Sequence, residues 1–242
     1  MRILLINPNT TASITDRLAA YARSVAGDAA TFFPVTARFG PRYIASRAAC
    51  AIAAHAALDA LAAHVDGCDG VYLACFGDPG LPALQEVSPV PVVGMAEAAC
   101  REAARSGRFS IVTGGVLWQA MLQEHVAFLG LADKLASIRV VAATGDEIAT
   151  NPDAALTELA AACAACAIED GAEAVILGGA ALAGLAARLQ PRVPVPVLCS
   201  VELGTRSAVE AARTRQAFSP KAIKAQASIG LSPPLEELLR RA

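Results

Sequence analysis

Cys75 is followed at once by Phe76-Gly77-Asp78-Pro79-Gly80, a run of turn formers that closes the apolar stretch Gly70–Ala74. A thiol at a strand end can act as an acid, a base or a nucleophile. A helix starting just beyond it would offer unpaired N–H groups and lower the thiol pKa towards neutrality. Gly77 would let a ligand come close to the main chain. The plainer alternative is a small apolar cysteine packed at a strand terminus.

Asn7-Pro8-Asn9-Thr10-Thr11 closes the first apolar run, Arg2–Ile6. Its amide and hydroxyl groups, with free N–H groups at the next helix start, suit a carboxylate or amide ligand, or else an ordinary helix cap. Thr113-Gly114-Gly115 occupies the matching place after a later run and carries the same two readings. Phe39-Gly40-Pro41 is a turn ahead of a helix expected near Ser46. Cys163 and Cys166 form a CxxC, but they lie in the alanine-rich stretch Ala161–Ala167 with no second ligand pair, so they read as core residues. Cys50, Cys68 and Cys100 lie in helical or loop contexts and receive no function. His55, His64 and His125 fall on expected helices without ligand-like companions, and Trp118 reads as an anchor. No phosphate loop or dinucleotide fingerprint occurs, and neither a metal nor a cofactor is expected.

These groups must be positioned by alternating elements. Arg2–Ile6, Thr31–Val35, Gly70–Ala74 and Val90–Val93, then Phe109–Thr113, Ile138–Ala142, Ala174–Leu177 and Val195–Leu198, are nearly continuous apolar runs. Such runs are expected of parallel strands covered on both faces. Between them lie Ser13–Ala26, Ala45–Val65, Gln119–Leu129 and Ala154–Glu169, long enough for crossover helices. The alternation predicts a doubly wound α/β fold with ligands at the carboxyl ends of the strands.

An internal repeat refines this prediction. Val71-Tyr72-Leu73-Ala74-Cys75 lies on Val175-Ile176-Leu177-Gly178-Gly179, a shift of 104 residues. Gly67 then falls on Gly171, Asp69 on Glu173, Gly80-Leu81 on Gly184-Leu185 and Ala83 on Ala187. Pro89–Gly94 follows onto Pro194–Cys199 after one inserted residue, and Arg2–Asn9 lies over Arg108–Gly115. Two pseudo-symmetric lobes are expected, each a parallel sheet flanked by helices, with an active-site cleft between them. Residues 1–95 with 207–242 would form the lobe carrying Cys75, and 96–206 the lobe carrying Gly179.

Composition limits the partners. The 242 residues hold 20 Lys+Arg against 22 Asp+Glu, a formal charge of −2, which gives no electrostatic footprint for nucleic acid or an anionic membrane. At 55% hydrophobic and 17% charged the chain is not disordered. Its longest apolar run, Ala45–Val65, carries Arg47, His55, Asp59 and His64, which does not suit a hydrocarbon core. Ile3–Ile6 is too short for the apolar region of a signal peptide. Seven scattered cysteines in a chain of this size read as reduced thiols in a cytoplasmic protein. The expected partner is a small-molecule substrate, with a homo-oligomer allowed.

Ile6-Asn7-Pro8-Asn9-Thr10, Phe39-Gly40-Pro41 with Ile44 and Ser46, and Ala74–Leu81 together resemble the aspartate/glutamate/hydantoin racemase superfamily, nearest its hydantoin and allantoin racemase branch. The resemblance runs from Arg2 to about Thr205. It implies a cofactor-independent enzyme in which two cysteines work on opposite faces of one substrate, one removing and the other returning the α-proton. Cys75 would be the acid/base. Main-chain N–H groups of Phe76, Gly77 and Ala180, with Asn9, Thr113 and Gly114, would hold the anionic part of the ligand. Phe39 and Pro41 would be apolar walls.

The chain departs from that pattern at Gly179, where the second cysteine belongs. Glycine carries no proton, so ordinary two-thiol racemisation lacks one carrier. Cys199, ending the next apolar run, is a candidate to compensate, with Glu202 beyond it a weaker one. A single-thiol decarboxylase and a catalytically silent binding relative are the alternative functions.

Overall fold

The computed structural model describes every residue except 144, 216, 217, 219–227 and 242. Its elements are β1 (Arg2–Asn7), α1 (Ala12–Ala26), β2 (Thr31–Thr36), α2 (Arg47–His64), β3 (Gly70–Leu73), α3 (Leu81–Val87), β4 (Val92–Gly94), α4 (Met95–Ala103), β5 (Phe109–Gly114), α5 (Trp118–Phe128), β6 (Leu135–Val141), α6 (Gly145–Thr150), α7 (Pro152–Ile168), β7 (Ala174–Gly178), α8 (Ala186–Leu189), β8 (Val197–Cys199), α9 (Ser200–Arg213) and α10 (Pro233–Arg241). They form two compact units, one of 1–94 with 205–242 and one of 95–204. Within the expected tail 207–242, residues 216, 217, 219–227 and 242 lie outside the described residues.

Each unit holds a four-stranded parallel sheet, ordered β2-β1-β3-β4 in the first and β6-β5-β7-β8 in the second. Each of the eight apolar runs contains most of one strand. Two strands start late, at Val92 and Val197, because Pro91 and Pro196 have no N–H to donate. The prolines instead accept, from Val71 N at 2.8 Å and Val175 N at 2.9 Å.

Pairing register repeats between the units. Ile3 pairs with Gly70 and Phe109 with Ala174; Leu73 pairs with Gly94 and Leu177 with Cys199. At the other strand ends Arg2 N donates to Asp69 Oδ2 at 2.8 Å and Asp69 N to Arg2 O at 2.7 Å. Arg108 and Glu173 make the same exchange at 2.9 and 2.7 Å. The turns before these acids carry Gly67 at φ +71° and Gly171 at φ +69°, a conformation in which a side chain is strained. A composition accident would not reproduce this clasp.

The first unit's core lies between its sheet and α2 and α3: Leu4, Ile6, Val71 and Leu73 meet Ala57, Leu61, Leu81 and Leu84. Each fully buried leucine contributes about 1.5–3 kcal/mol. Leu238 and Leu239 of α10 pack partly buried on this cluster. Ser46 starts α2 by accepting from Ala49 N at 3.1 Å, and Asn151 starts α7 by accepting from Ala154 N at 3.3 Å. No described helix is long and apolar enough to cross a membrane.

Candidate active site

The Cys75 segment leaves β3 as a tight turn. Cys75 N donates to Leu73 O, Asp78 N to Cys75 O and Leu81 N to Asp78 O, each at 3.1 Å. Gly80 must lack a side chain, because a Cβ there would lie 2.8 Å from Ala54 Cβ of α2. Cys75 is half-buried and Phe76 and Asp78 are buried. The main-chain N–H groups of Phe76 and Gly77 have no partner among the described residues.

The expectation that a helix start would acidify Cys75 is corrected. The next helix, α3, begins only at Leu81 and has seven residues, so it does not start at the thiol's turn. Burial, the Asp78 carboxylate and the Cys50 thiol all push the Cys75 pKa upward. At neutral pH the resting group is a thiol.

Asn7 and Asn9 end β1 in a buried network. Asn7 Nδ2 donates to Asn9 Oδ1 and Thr15 Oγ1, each at 3.0 Å, and Thr15 Oγ1 meets Thr36 Oγ1 at 2.6 Å. Asn9 Oδ1 also accepts from Thr11 N at 2.9 Å, a turn ahead of α1 rather than a side-chain cap on it, and Asn9 Nδ2 has no partner among the described residues. Pro41 joins this loop, its carbonyl accepting from Thr10 N at 3.0 Å. Phe39 does not. Its ring packs edge-on against His55 at 5.0 Å with the Arg38 guanidinium 5.2 Å above it, and this turns it towards α2 rather than making it a wall of the site.

In the second unit Gly179 follows β7 at φ +120°, with no atom within 4 Å of where a Cβ would stand. Its N–H donates to Ser200 Oγ at 3.1 Å, while Ala180 N has no described partner. Thr113 is corrected as a ligand donor: its hydroxyl donates to Gly178 O at 2.8 Å. Gly114 ends β5, paired with Val141. Cys199 is 4% exposed inside β8, paired with Leu177. Glu202 lies in the first turn of α9, not on a loop.

Cys163 and Cys166 are buried in α7, and burial pushes both thiols up, Cys163 to about 12, as core residues require. Among the described residues no group of three His, Cys, Asp or Glu could hold a metal. Reasoning from sequence missed two buried polar residues beside the turns, Asp78 and Ser200. Asp78 passed as a turn former; nothing in the sequence marks Ser200.

A profile of the Asp/Glu/Hydantoin racemase family matches residues 3–208. The chain belongs to that family. Relatives that it matches at 31–34% identity carry the names of racemases, which are isomerases. A hydantoin racemase of Paenarthrobacter aurescens is 34% identical over 211 residues, 86% of this chain and 89% of that protein. The allantoin racemase of Pseudomonas fluorescens superposes with a TM-score of 0.84 at 32% identity, covering 88% of this chain and 92% of that one. The allantoin racemase of Klebsiella pneumoniae gives 0.81 at 31% identity, with 98% of each chain covered.

Proposed function

We propose that this chain is a cofactor-independent racemase-type enzyme acting at an acidic carbon beside an imide or carboxylate, with Cys75 as its acid/base. Hydantoins and allantoin are the first substrates to try, since relatives at 31–34% identity carry those names. One observation carries the reading: a half-buried thiol just past the carboxyl end of β3, followed by two main-chain N–H groups without a partner among the described residues.

The chemistry follows from those groups. The thiolate form of Cys75 takes the α-proton, and the electron pair left on carbon delocalises into the neighbouring carbonyl. The oxygen that gains charge needs donors already in place. The N–H groups of Phe76 and Gly77 and the Nδ2 of Asn9, all in the first unit, are the candidates, with Pro41 holding the Asn9 loop. Returning the proton from Cys75 restores the same configuration. Gly179, where the resemblance puts a second cysteine, carries no thiol.

A protonated resting thiol also favours a second reading. In a decarboxylase the C–CO2 bond breaks first, its electron pair stays on the α-carbon, and a neutral thiol supplies the proton. Solvent then reprotonates the thiolate. Seven free cysteines suit a reducing cytoplasm for either reading. Incubating the protein in D2O with substituted hydantoins, allantoin, amino acids and substituted malonates separates them by NMR. Deuterium entering an intact substrate supports proton transfer, CO2 loss supports the second reading, and no reaction across the panel leaves a binding relative.

A further inference from the structure

We infer that Asp78 is a positioning residue for Cys75: its buried carboxylate, seated in the hollow that Gly94 leaves at the end of β4, fixes the turn that carries the thiol and sets the charge beside it. The inference rests on Cys75 being the reactive group.

Asp78 is 3% exposed, and at φ +45° it is the one non-glycine residue with positive φ among those described. Such a backbone is strained and persists only where the surroundings impose it. The surroundings here are specific. Asp78 N binds Cys75 O, Asp78 O accepts from Leu81 N, and the side chain fills the space beside Gly94. A Cβ on Gly94 would overlap the carboxylate of Asp78 and lie 2.6 Å from Leu81 Cδ2. Gly94 has no positive φ, so only the missing side chain accounts for it. Gly94 pairs with Leu73, two residues before Cys75, which puts the carboxylate directly under the thiol's turn.

The second unit is the control. In matching register Leu182 stands for Asp78 and Cys199 for Gly94, both buried and apolar. Leucine at this position satisfies the fold, and burying a carboxylate is costly. The carboxylate is found in the unit that has the thiol. Among the described residues the groups that act on the charge of Cys75 are Asp78 in its own turn and Cys50 on α2, with Arg47 acting on Cys50. Of these only Asp78 places negative charge next to a nascent thiolate.

The test reads Cys75 ionisation without turnover, so it stands or falls separately from the proposed activity. Iodoacetamide alkylation of the full-length protein is followed from about pH 6 to pH 11, peptide by peptide, by mass spectrometry. In wild type the half-maximal rate of Cys75 should lie above the usual thiol value of about 9. Asp78→Asn should move the profile down by about one pH unit, so that Cys75 reacts about tenfold faster near neutrality. Gly94→Ala, which displaces the carboxylate while keeping Asp78, should move it the same way. A folded Asp78→Asn protein with an unmoved profile overturns the inference. So does a wild-type midpoint at or below about 9, a result that needs no variant to fold.

Discussion

The two units end their third strands in different ways on one frame. β3 runs into Ala74-Cys75 with Asp78 under the turn and Gly94 beside it. β7 runs into Gly178-Gly179 with Leu182 and Cys199 at the matching places. The first strands differ in the same sense. Asn7, the partner of Thr113 in the repeat, organises a buried amide–hydroxyl network, whereas Thr113 makes one bond to Gly178. Strand order, register and the acid clasps at the opposite strand ends are shared. The frame is conserved between units by packing needs, and the polar equipment has gathered in one of them.

Removing the thiol should break that asymmetry most completely. Cys75→Ala should lower deuterium exchange by about 10²–10⁴-fold, the range for a positioned proton carrier. NMR in D2O measures it, and the Cys199→Ala protein should keep wild-type exchange because that residue is buried in β8. Supplying the second unit with a thiol is the converse. Gly179→Cys has room for its Cβ but must bear φ +120°, at a cost of about 1–3 kcal/mol. If the folded variant follows the family pattern, inversion should rise about tenfold or more relative to exchange, as polarimetry read against NMR would show.

Smaller effects separate the two first strands. Asn7→Ala strands the partners of a fully buried amide and should cost about 2–3 kcal/mol in urea unfolding. Thr113→Val loses one bond and should cost about 1 kcal/mol. Alkaline pH should then weaken the second unit through Cys163. Its folded pKa of about 12 exceeds the usual thiol value of about 9. Above about 9 the unfolded thiol ionises while the folded one keeps its proton, so stability falls as pH rises through that window. Each unit of pH costs up to about 1.4 kcal/mol per such thiol, and Cys163→Ala should flatten the decline in melting temperature.

The frame was legible because it is written in periodicity. Continuous apolar runs mark which segments are strands, and the shift of 104 residues alone aligns Cys75 with Gly179. Strand ends were read too early at Val90 and Val195, since the missing proline N–H matters to pairing and not to hydropathy. The site was less legible for a related reason. Cys75 and Asn9 stand in short motifs, but whether a polar group serves a ligand or the fold depends on where its hydrogen bonds go. Thr113 spends its proton on Gly178, Phe39 turns to His55, and Asp78 is buried although its Gly-Asp-Pro-Gly setting reads as surface turn. The upward push on Cys75 likewise comes from burial, which no local motif encodes.

The central claim, one proton carrier working on one face, is tested most directly by wild-type protein, a single enantiomer of a hydantoin it turns over, and D2O. The α-hydrogen signal and the optical rotation are followed in the same sample. Deuterium should enter with the rotation held, inversion lagging exchange by about 10²-fold or more. Rotation decaying as fast as deuterium enters would show a second carrier at work and contradict the account of Gly179.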